Sequence, residues 1–241
     1  MSNNEFQHEI SDATVQTSQI IETSYTDNRT EKYYAWRASN YDRLAEWEQP
    51  YHKEAVELAN AMEGQRVLVA ACGTGRGMNL LVKAVGKTGR VDALDLSENM
   101  LIEAQAKMNQ LGNAEIVHFH HGNVRNLPFA NNVFDIVYNA YMFDLIELDG
   151  FLPILKEMER VLKPGGKIVL LNMSKPDGNT TFYERIYRWT GIPCRPVLMA
   201  PYLQLLNFNE VRRIYRAIQP KNFYEWIISK LWGQEIVIAS K

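Results

Sequence analysis

Three glycines and one aspartate are the residues whose types and spacing best suit binding of a ribose-containing ligand. Gly73, Gly75 and Gly77 lie between an apolar run and a helical pattern, where glycine lets the backbone turn sharply and approach a ligand closely. Asp95 ends the next apolar run, about 20 residues later, where a carboxylate can accept hydrogen bonds from both ribose hydroxyls. The alternative role for Asp95 is that of a turn or helix-capping acid.

The spacing of the glycines separates this loop from other glycine-rich loops. Met78 stands where the third glycine of a dinucleotide-binding GxGxxG motif would fall, which disfavours a nicotinamide-dependent oxidoreductase. A GK[ST] sequence is also missing, which argues against a P-loop.

Alternating elements position this loop. Strand-like and helical patterns alternate through residues 66–71, 78–85, 91–96, 97–111, 116–120, 133–138, 151–162 and 167–172. This alternation predicts a parallel sheet with helices on both faces. A helix is predicted before the first strand, over residues 51–62, and another over 182–189. Two later runs, 211–218 and 235–239, are expected to add an antiparallel pair to one sheet edge.

The sequence resembles the class I S-adenosylmethionine-dependent methyltransferases in five segments with the family's order and spacing. These segments are residues 67–77, 91–101, 122–129, 132–137 and 158–167. Within that superfamily, Ala71, Asn123 and the Ser-Lys-Pro sequence at 174–176 resemble the ubiquinone/menaquinone-biosynthesis C-methyltransferase-like group. The resemblance implies an α/β fold: a doubly wound, mostly parallel, seven-stranded Rossmann-like sheet whose last strand pair is antiparallel.

The resemblance also implies S-adenosylmethionine as the cofactor and assigns residues to it. The implied cofactor-binding residues are Ala71, Cys72, Gly73, Thr74, Gly75, Asp95, Leu96, Met100, Asn123, Val124, Asn139, Ala140 and Tyr141. Of these, the loop would hold the methionine part, Asp95 the ribose, and Leu96 and Met100 the adenine faces. Asn123 would bond the exocyclic amine of adenine, and Val124 would offer a backbone N–H to the ring. The last three would face the sulfonium and the acceptor, although Asn139 also suits a strand-end turn.

Several positions depart from the resembled pattern. The family usually has an acid where this chain has Val69, and that acid helps to orient the loop and the methionine end of the cofactor. We therefore expect weaker cofactor binding than with the acid present. Residues 41–55 and 141–145 lack the group's usual sequences, and little likeness extends beyond Pro176. The acceptor consequently stays open at this point.

The implied reaction is methyl transfer to a small-molecule acceptor. C-methylation of a quinone-like or other hydrophobic ring competes with N- or O-methylation of another metabolite, and a non-catalytic cofactor-binding regulator is the alternative from another class. Transfer from a sulfonium is an in-line displacement that depends on alignment. A base is needed only where the acceptor must lose a proton. The candidates for such a catalytic group are Tyr41, His52, Tyr141 and Asp144.

Composition limits the partners. The 241 residues carry a net charge of −2 and no basic run, which argues against a nucleic-acid partner. Cys72 and Cys194 form no CxxC pair, and neither a signal peptide nor a membrane-length apolar run is visible, so we expect a cytoplasmic protein without stable membrane insertion. The aromatic segment 223–232 is expected to pack on the core, with peripheral membrane contact as its alternative. His118, His120 and His121 are interpreted as a strand-edge cluster rather than a metal site.

The predicted organisation is one methyltransferase domain over residues 31–241, preceded by a flexible polar arm over 1–30. Residues 31–62 are a candidate lid, because the aromatic faces in this segment attract a sulfonium cation. Packing of the first helix on the sheet is the equal alternative for the aromatic residues Tyr33, Tyr34, Trp36 and Tyr41. Residues 177–208 are a candidate substrate cap, with 187–189 and 194–197 next to the acceptor.

Overall fold

A computed structural model describes residues 20–23, 42–43, 45–176, 181–190, 192–218 and 232–241. The helices are α1 Gln49–Ala59, which follows the 3-10 turn Glu46–Glu48, α2 Met78–Val85, α3 Glu98–Gln110, α4 Leu148–Val161, α5 Phe182–Thr190 and α6 Ala200–Leu205. The strands are β1 Arg66–Ala70, β2 Arg90–Asp95, β3 Val117–His121, β4 Phe134–Ala140, β5 Leu162–Ser174, β6 Asn209–Ala217 and β7 Gly233–Ser240.

The strands form one seven-stranded sheet in the order β3-β2-β1-β4-β5-β7-β6. Strands β1 to β5 pair in parallel, whereas β7 runs antiparallel to both of its neighbours, β5 and β6. The predicted fold class, including the antiparallel last pair, is confirmed. The order reverses between β1 and β4, and a crevice outside the carboxyl ends of the strands is expected at such a point.

Each central strand is buried on both faces, which explains why the strands appear in the sequence as continuous apolar runs. Leu68 and Val137 face a core that includes α4, whereas Val67, Val69 and Tyr138 face a second core that includes α1, α2 and α3. Alternate residues of one strand therefore belong to different cores. The last residues of β1, β2 and β4 lie at one sheet edge, and the functional site lies there.

The structure changes two expectations about the periphery. Helix α1 belongs to the domain body, since Ala55 and Ala59 are fully buried against the sheet, so any lid excludes this helix. Helix α6 was not predicted from sequence; its Leu203 is fully buried in the core that includes α4. It lies inside the predicted cap segment but packs on α4 and β6.

Other predictions fall largely outside the described residues. These include the aromatic residues Tyr33, Tyr34, Trp36 and Tyr41, most of the polar arm, and the segment 223–231, whose peripheral membrane contact stays a prediction. In the described ranges, no helix is both long and apolar enough to cross a membrane.

Of the histidines, His120 bonds Asp92 at 2.9 Å and His121 bonds the Leu96 carbonyl at 2.9 Å. Cys72 and Cys194 are not joined to each other by a disulfide.

Candidate functional site

A cleft opens at the carboxyl ends of β1, β2 and β4 and encloses about 1160 Å³ of empty space, part of it open to solvent. Most residues predicted from sequence line it. They are His52, Ala71, Cys72, Gly73, Thr74, Asp95, Leu96, Met100, Asn123, Val124, Ala140 and Tyr141. Their individual roles stay predictions.

The glycine loop is wound tightly against β2 and α3. Ala71, Gly73 and Gly75 have φ values of 54°, 53° and 77°, a region in which a non-glycine residue is strained by about 1–2 kcal/mol. Gly75 does not line the cleft, because it packs inward: a β-carbon there would lie 2.8 Å from Met78 Cε and 3.5 Å from Ala104 Cβ. Its role is therefore to shape the loop.

Asp95 fastens the loop to β2. One carboxylate oxygen accepts the Gly73 N–H at 2.7 Å, and the other accepts the Ser97 N–H at 2.9 Å. Burial raises the pKa of Asp95, and these backbone N–H groups oppose that shift. Each oxygen keeps lone-pair capacity toward the cleft, so the geometry suits the predicted bidentate contact with two ribose hydroxyls.

An outer contact network holds the loop from the solvent side. Asp42 accepts the Thr74 hydroxyl at 2.5 Å and pairs with Lys107, which also donates to the Thr74 carbonyl at 2.7 Å. Arg76 donates to the main-chain oxygen of Asp42 at 3.0 Å. These partners are 32 to 65 positions apart in sequence, and no motif signals them.

Two predicted residues do not reach the cleft. Asn139 is fully buried and donates to the Ala70 carbonyl at 2.7 Å, which ties β4 to β1. Asp144 is 1 % exposed and accepts the Met173 N–H at 3.0 Å, and burial raises its pKa well above the usual range. Asp144 is therefore misplaced for taking a proton from an acceptor, and Asn139 for facing the sulfonium. Tyr41 lies outside the described residues.

The loop that follows β4 supplies an apolar part of the cleft. Tyr141 has a φ of 56° and packs edge-to-face on His52, with ring centroids 5.6 Å apart. Met142, Leu145 and Ile146 extend this surface. Apolar and aromatic side chains here favour a flat or hydrophobic acceptor.

Arg195 fixes that loop from beneath. Its guanidinium is fully buried and donates to the carbonyls of Asp144 at 2.9 Å, Ile146 at 2.6 Å and Ile21 at 2.5 Å. Neither Arg195 nor its neighbours in 187–189 and 194–197 line the cleft. Their predicted place next to the acceptor stays a prediction, and Arg195 contacts the loop after β4 rather than the cleft.

Three buried polar side chains form a chain of contacts at the cleft, next to Tyr141. His52 Nδ1 lies 2.9 Å from the Tyr138 hydroxyl, and His52 Nε2 lies 4.0 Å from Glu48 Oε2. Gly77 leaves the room that this contact needs, because a β-carbon there would lie 3.0 Å from both bonded atoms. Glu48 was missed from the sequence, although its spacing of four residues from His52 places both on one helix face.

Burial keeps Glu48 and His52 uncharged near neutral pH. Burial raises the pKa of Glu48 from 4.5 to about 8, against the attraction of Arg76. Burial together with Arg76 lowers the pKa of His52 from 6.5 to about 3. Both shifts have the same physical origin, since transfer from water into the protein interior disfavours the charged form of either group.

The free energy of unfolding of the ligand-free protein is expected to fall by about 1–2 kcal/mol between pH 6.5 and 8 because of Glu48. In this window an unfolded glutamate has already lost its proton, whereas folded Glu48 keeps it until about pH 8. His52 is neutral in both states above pH 6.5. Urea unfolding at several pH values measures the slope. E48Q is expected to lower the slope relative to the exposed control E57Q, because other buried carboxyl groups such as Asp144 contribute to both variants equally; an equal slope in both variants would contradict the prediction.

Comparisons with known proteins agree with this geometry. The model of the ubiE/COQ5 methyltransferase family matches residues 24–200. A demethylmenaquinone methyltransferase of Staphylococcus saprophyticus is 34% identical over 197 residues, which are 79% of this chain and 74% of that protein. One from Staphylococcus epidermidis is 38% identical over 155 residues, 62% of this chain and 61% of that protein.

A solved structure shows the same fold. It is an S-adenosylmethionine-dependent methyltransferase from Aquifex aeolicus, with a TM-score of 0.62 and 22% identity. The match covers 86% of this chain and 97% of that chain. Together these findings confirm the resemblance identified from the five sequence segments.

Proposed function

The chain belongs to the ubiE/COQ5 methyltransferase family, and from that premise we propose that it transfers a methyl group from S-adenosylmethionine to a ring carbon of a quinone-like acceptor. The observation that carries this proposal is the two-sided cleft. One side consists of the glycine loop and Asp95, and the other of apolar residues after β4. The names of the two Staphylococcus relatives support the same acceptor class.

S-adenosylmethionine supplies an electrophilic methyl carbon next to a sulfonium. Asp95 would hold the ribose, and Leu96, Met100 and Val124, which line the same part of the cleft, would enclose the adenine. Tyr141 and the loop after it hold the acceptor ring flat and exclude water.

A reduced, hydroxylated ring becomes nucleophilic at carbon when its hydroxyl proton leaves. Of the four residues predicted for this step, Tyr141 and His52 line the cleft. His52 is uncharged near neutral pH, but because burial lowers its pKa to about 3 it is a weak proton acceptor. These two residues are therefore candidates for relaying the proton rather than for retaining it.

Two other functions compete with this proposal. N- or O-methylation would need a polar group that positions an amine or hydroxyl at the methyl carbon, and the apolar loop Met142, Leu145 and Ile146 does not favour it. A non-catalytic regulator would bind the cofactor without transferring its methyl group.

A product assay separates these functions. The protein is incubated with S-adenosylmethionine and a demethylmenaquinol that carries a short prenyl chain, and the products are followed by mass spectrometry. We expect a quinol heavier by one methylene, with the methyl on a ring carbon by nuclear magnetic resonance, and no product from the analogue already methylated at that carbon. Methyl ether formation would favour O-methylation, and cofactor binding without transfer to any acceptor would favour the regulator.

A further inference from the structure

Two buried atoms of acidic and basic side chains on the cleft lack a hydrogen-bond partner in the described part of the chain. They are Glu48 Oε2, from the turn before α1, and Arg76 Nε, from the glycine loop. Glu48 is only 6 % exposed. Buried polar atoms almost always form hydrogen bonds in native proteins. An acidic and a basic side chain that each have an unbonded atom on one cavity therefore point to a ligand that bonds to both.

The charges on the cleft narrow the chemistry of that ligand. Its only carboxylates among the described residues belong to Glu48 and Asp95, and both Asp95 oxygens already accept backbone N–H groups. Arg125, the other arginine on the cleft, pairs with Glu147 at 2.6 Å. Glu48 and Arg76 thus remain as a carboxylate and a guanidinium that face one space, which complements a zwitterion.

A cationic group of a ligand would stabilise the carboxylate form of the buried Glu48. A buried carboxylate without a partner is costly, and the protein avoids this cost by keeping Glu48 protonated. Arg76 attracts Glu48 but forms no direct ion pair with it in the described structure. Val69, where the resembled pattern has an acid, is a buried aliphatic residue on the same cleft and provides no negative charge.

We propose that Glu48 and Arg76 bind the amino-acid end of the cofactor, with the Glu48 carboxylate receiving the α-ammonium and the Arg76 guanidinium receiving the α-carboxylate. The inference rests on the proposed function, since it takes S-adenosylmethionine as the ligand. Charge-assisted hydrogen bonds of this kind are the strong class. In this arrangement the turn before α1 supplies the negative charge that β1 lacks at Val69.

This assignment predicts that binding of the cofactor is linked to release of a proton from Glu48. The groups that face Glu48 are Arg76 from the loop, Asp42 from the outer network, His52 from α1 and Tyr138 from β4. An ammonium next to Glu48 favours the carboxylate, so binding releases the Glu48 proton below about pH 8. Affinity for the cofactor is therefore expected to rise from pH 6.5 to 8 and then level off.

The test compares three ligands by titration calorimetry: S-adenosylmethionine, S-adenosylhomocysteine and 5′-methylthioadenosine, which has the nucleoside and thioether but no amino-acid end. E48Q is expected to weaken binding of the first two by about tenfold or more, equivalent to losing one charged hydrogen bond. Binding of 5′-methylthioadenosine should stay within about twofold of wild type. R76Q should show the same ligand dependence, and the exposed variant E57Q should match wild type for all three.

Other outcomes overturn the proposal in distinguishable ways. An equal loss for all three ligands would make Glu48 a structural residue, and unchanged affinities with slower turnover would make it a proton acceptor. A pH-dependent affinity that persists in E48Q would also refute it. If wild type binds none of the three ligands, the proposed function itself fails; if wild type binds them and E48Q is unaltered, only this inference fails.

Discussion

Replacing Asp95 with alanine is expected to weaken S-adenosylmethionine binding by about a hundredfold. The carboxylate is placed to accept two ribose hydroxyls, and each charged hydrogen bond of this kind contributes about 1.5–3 kcal/mol. The same change frees the N–H groups of Gly73 and Ser97, so the loop also loses its attachment to β2. Titration calorimetry with the purified variant measures the loss directly.

The choice of ligand separates this effect from that of Glu48. D95A should weaken 5′-methylthioadenosine as much as S-adenosylmethionine, because both contain the ribose, whereas E48Q should spare the former. D95N keeps the shape and one acceptor and should lie between wild type and D95A. The exposed variant D149A serves as the control. Unchanged affinity in D95A would remove the ribose assignment.

Replacing Arg195 with alanine is expected to lower the free energy of unfolding by about 4 kcal/mol or more. The variant leaves the carbonyls of Ile21 and Ile146 without their side-chain donor, and each such unpaired carbonyl costs about 1–3 kcal/mol. The Asp144 carbonyl keeps the backbone N–H of residue 195. It also removes the guanidinium that lies 5.7 Å from the Phe151 ring centroid. Urea unfolding followed by circular dichroism reports the change.

Matched variants identify the cause of that loss. R188A removes an exposed arginine from α5 and should change the stability little. R195K keeps the charge but cannot reach three carbonyls at once and should be intermediate. Because the supported loop carries Met142, Leu145 and Ile146, R195K should raise the KM for the acceptor more than that for the cofactor. A stability of R195A close to wild type would contradict the prediction.

The fold could be predicted because its central strands are buried on both faces and each ends in a recognisable turn. The cofactor side of the cleft could also be predicted from the sequence. The glycine loop, Asp95 and Asn123 follow consecutive strands, and parallel strands bring their carboxyl ends together. Local sequence therefore encodes both the elements and one half of the cleft.

The residues missed from the sequence act over long separations. Arg195 contacts Ile21, 174 positions away, and Lys107 contacts Asp42, 65 positions away. Glu48 differs, since its partner His52 is close in sequence but its burial depends on the sheet. Asn139 was misplaced because neighbouring strand residues point to opposite faces, and its amide turns toward Ala70 instead of the cleft.

The position of β7 has a consequence for how the protein forms. This strand is the last in sequence order, yet it lies between β5 and β6 and pairs with both. During synthesis, the apolar edge of β5, with Ile168 and Leu170, stays uncovered after the strands that form the cofactor cleft have been made. Such an edge is a template for aggregation. The nascent chain is therefore most vulnerable when its five parallel strands have been made and β7 does not yet cover the edge of β5.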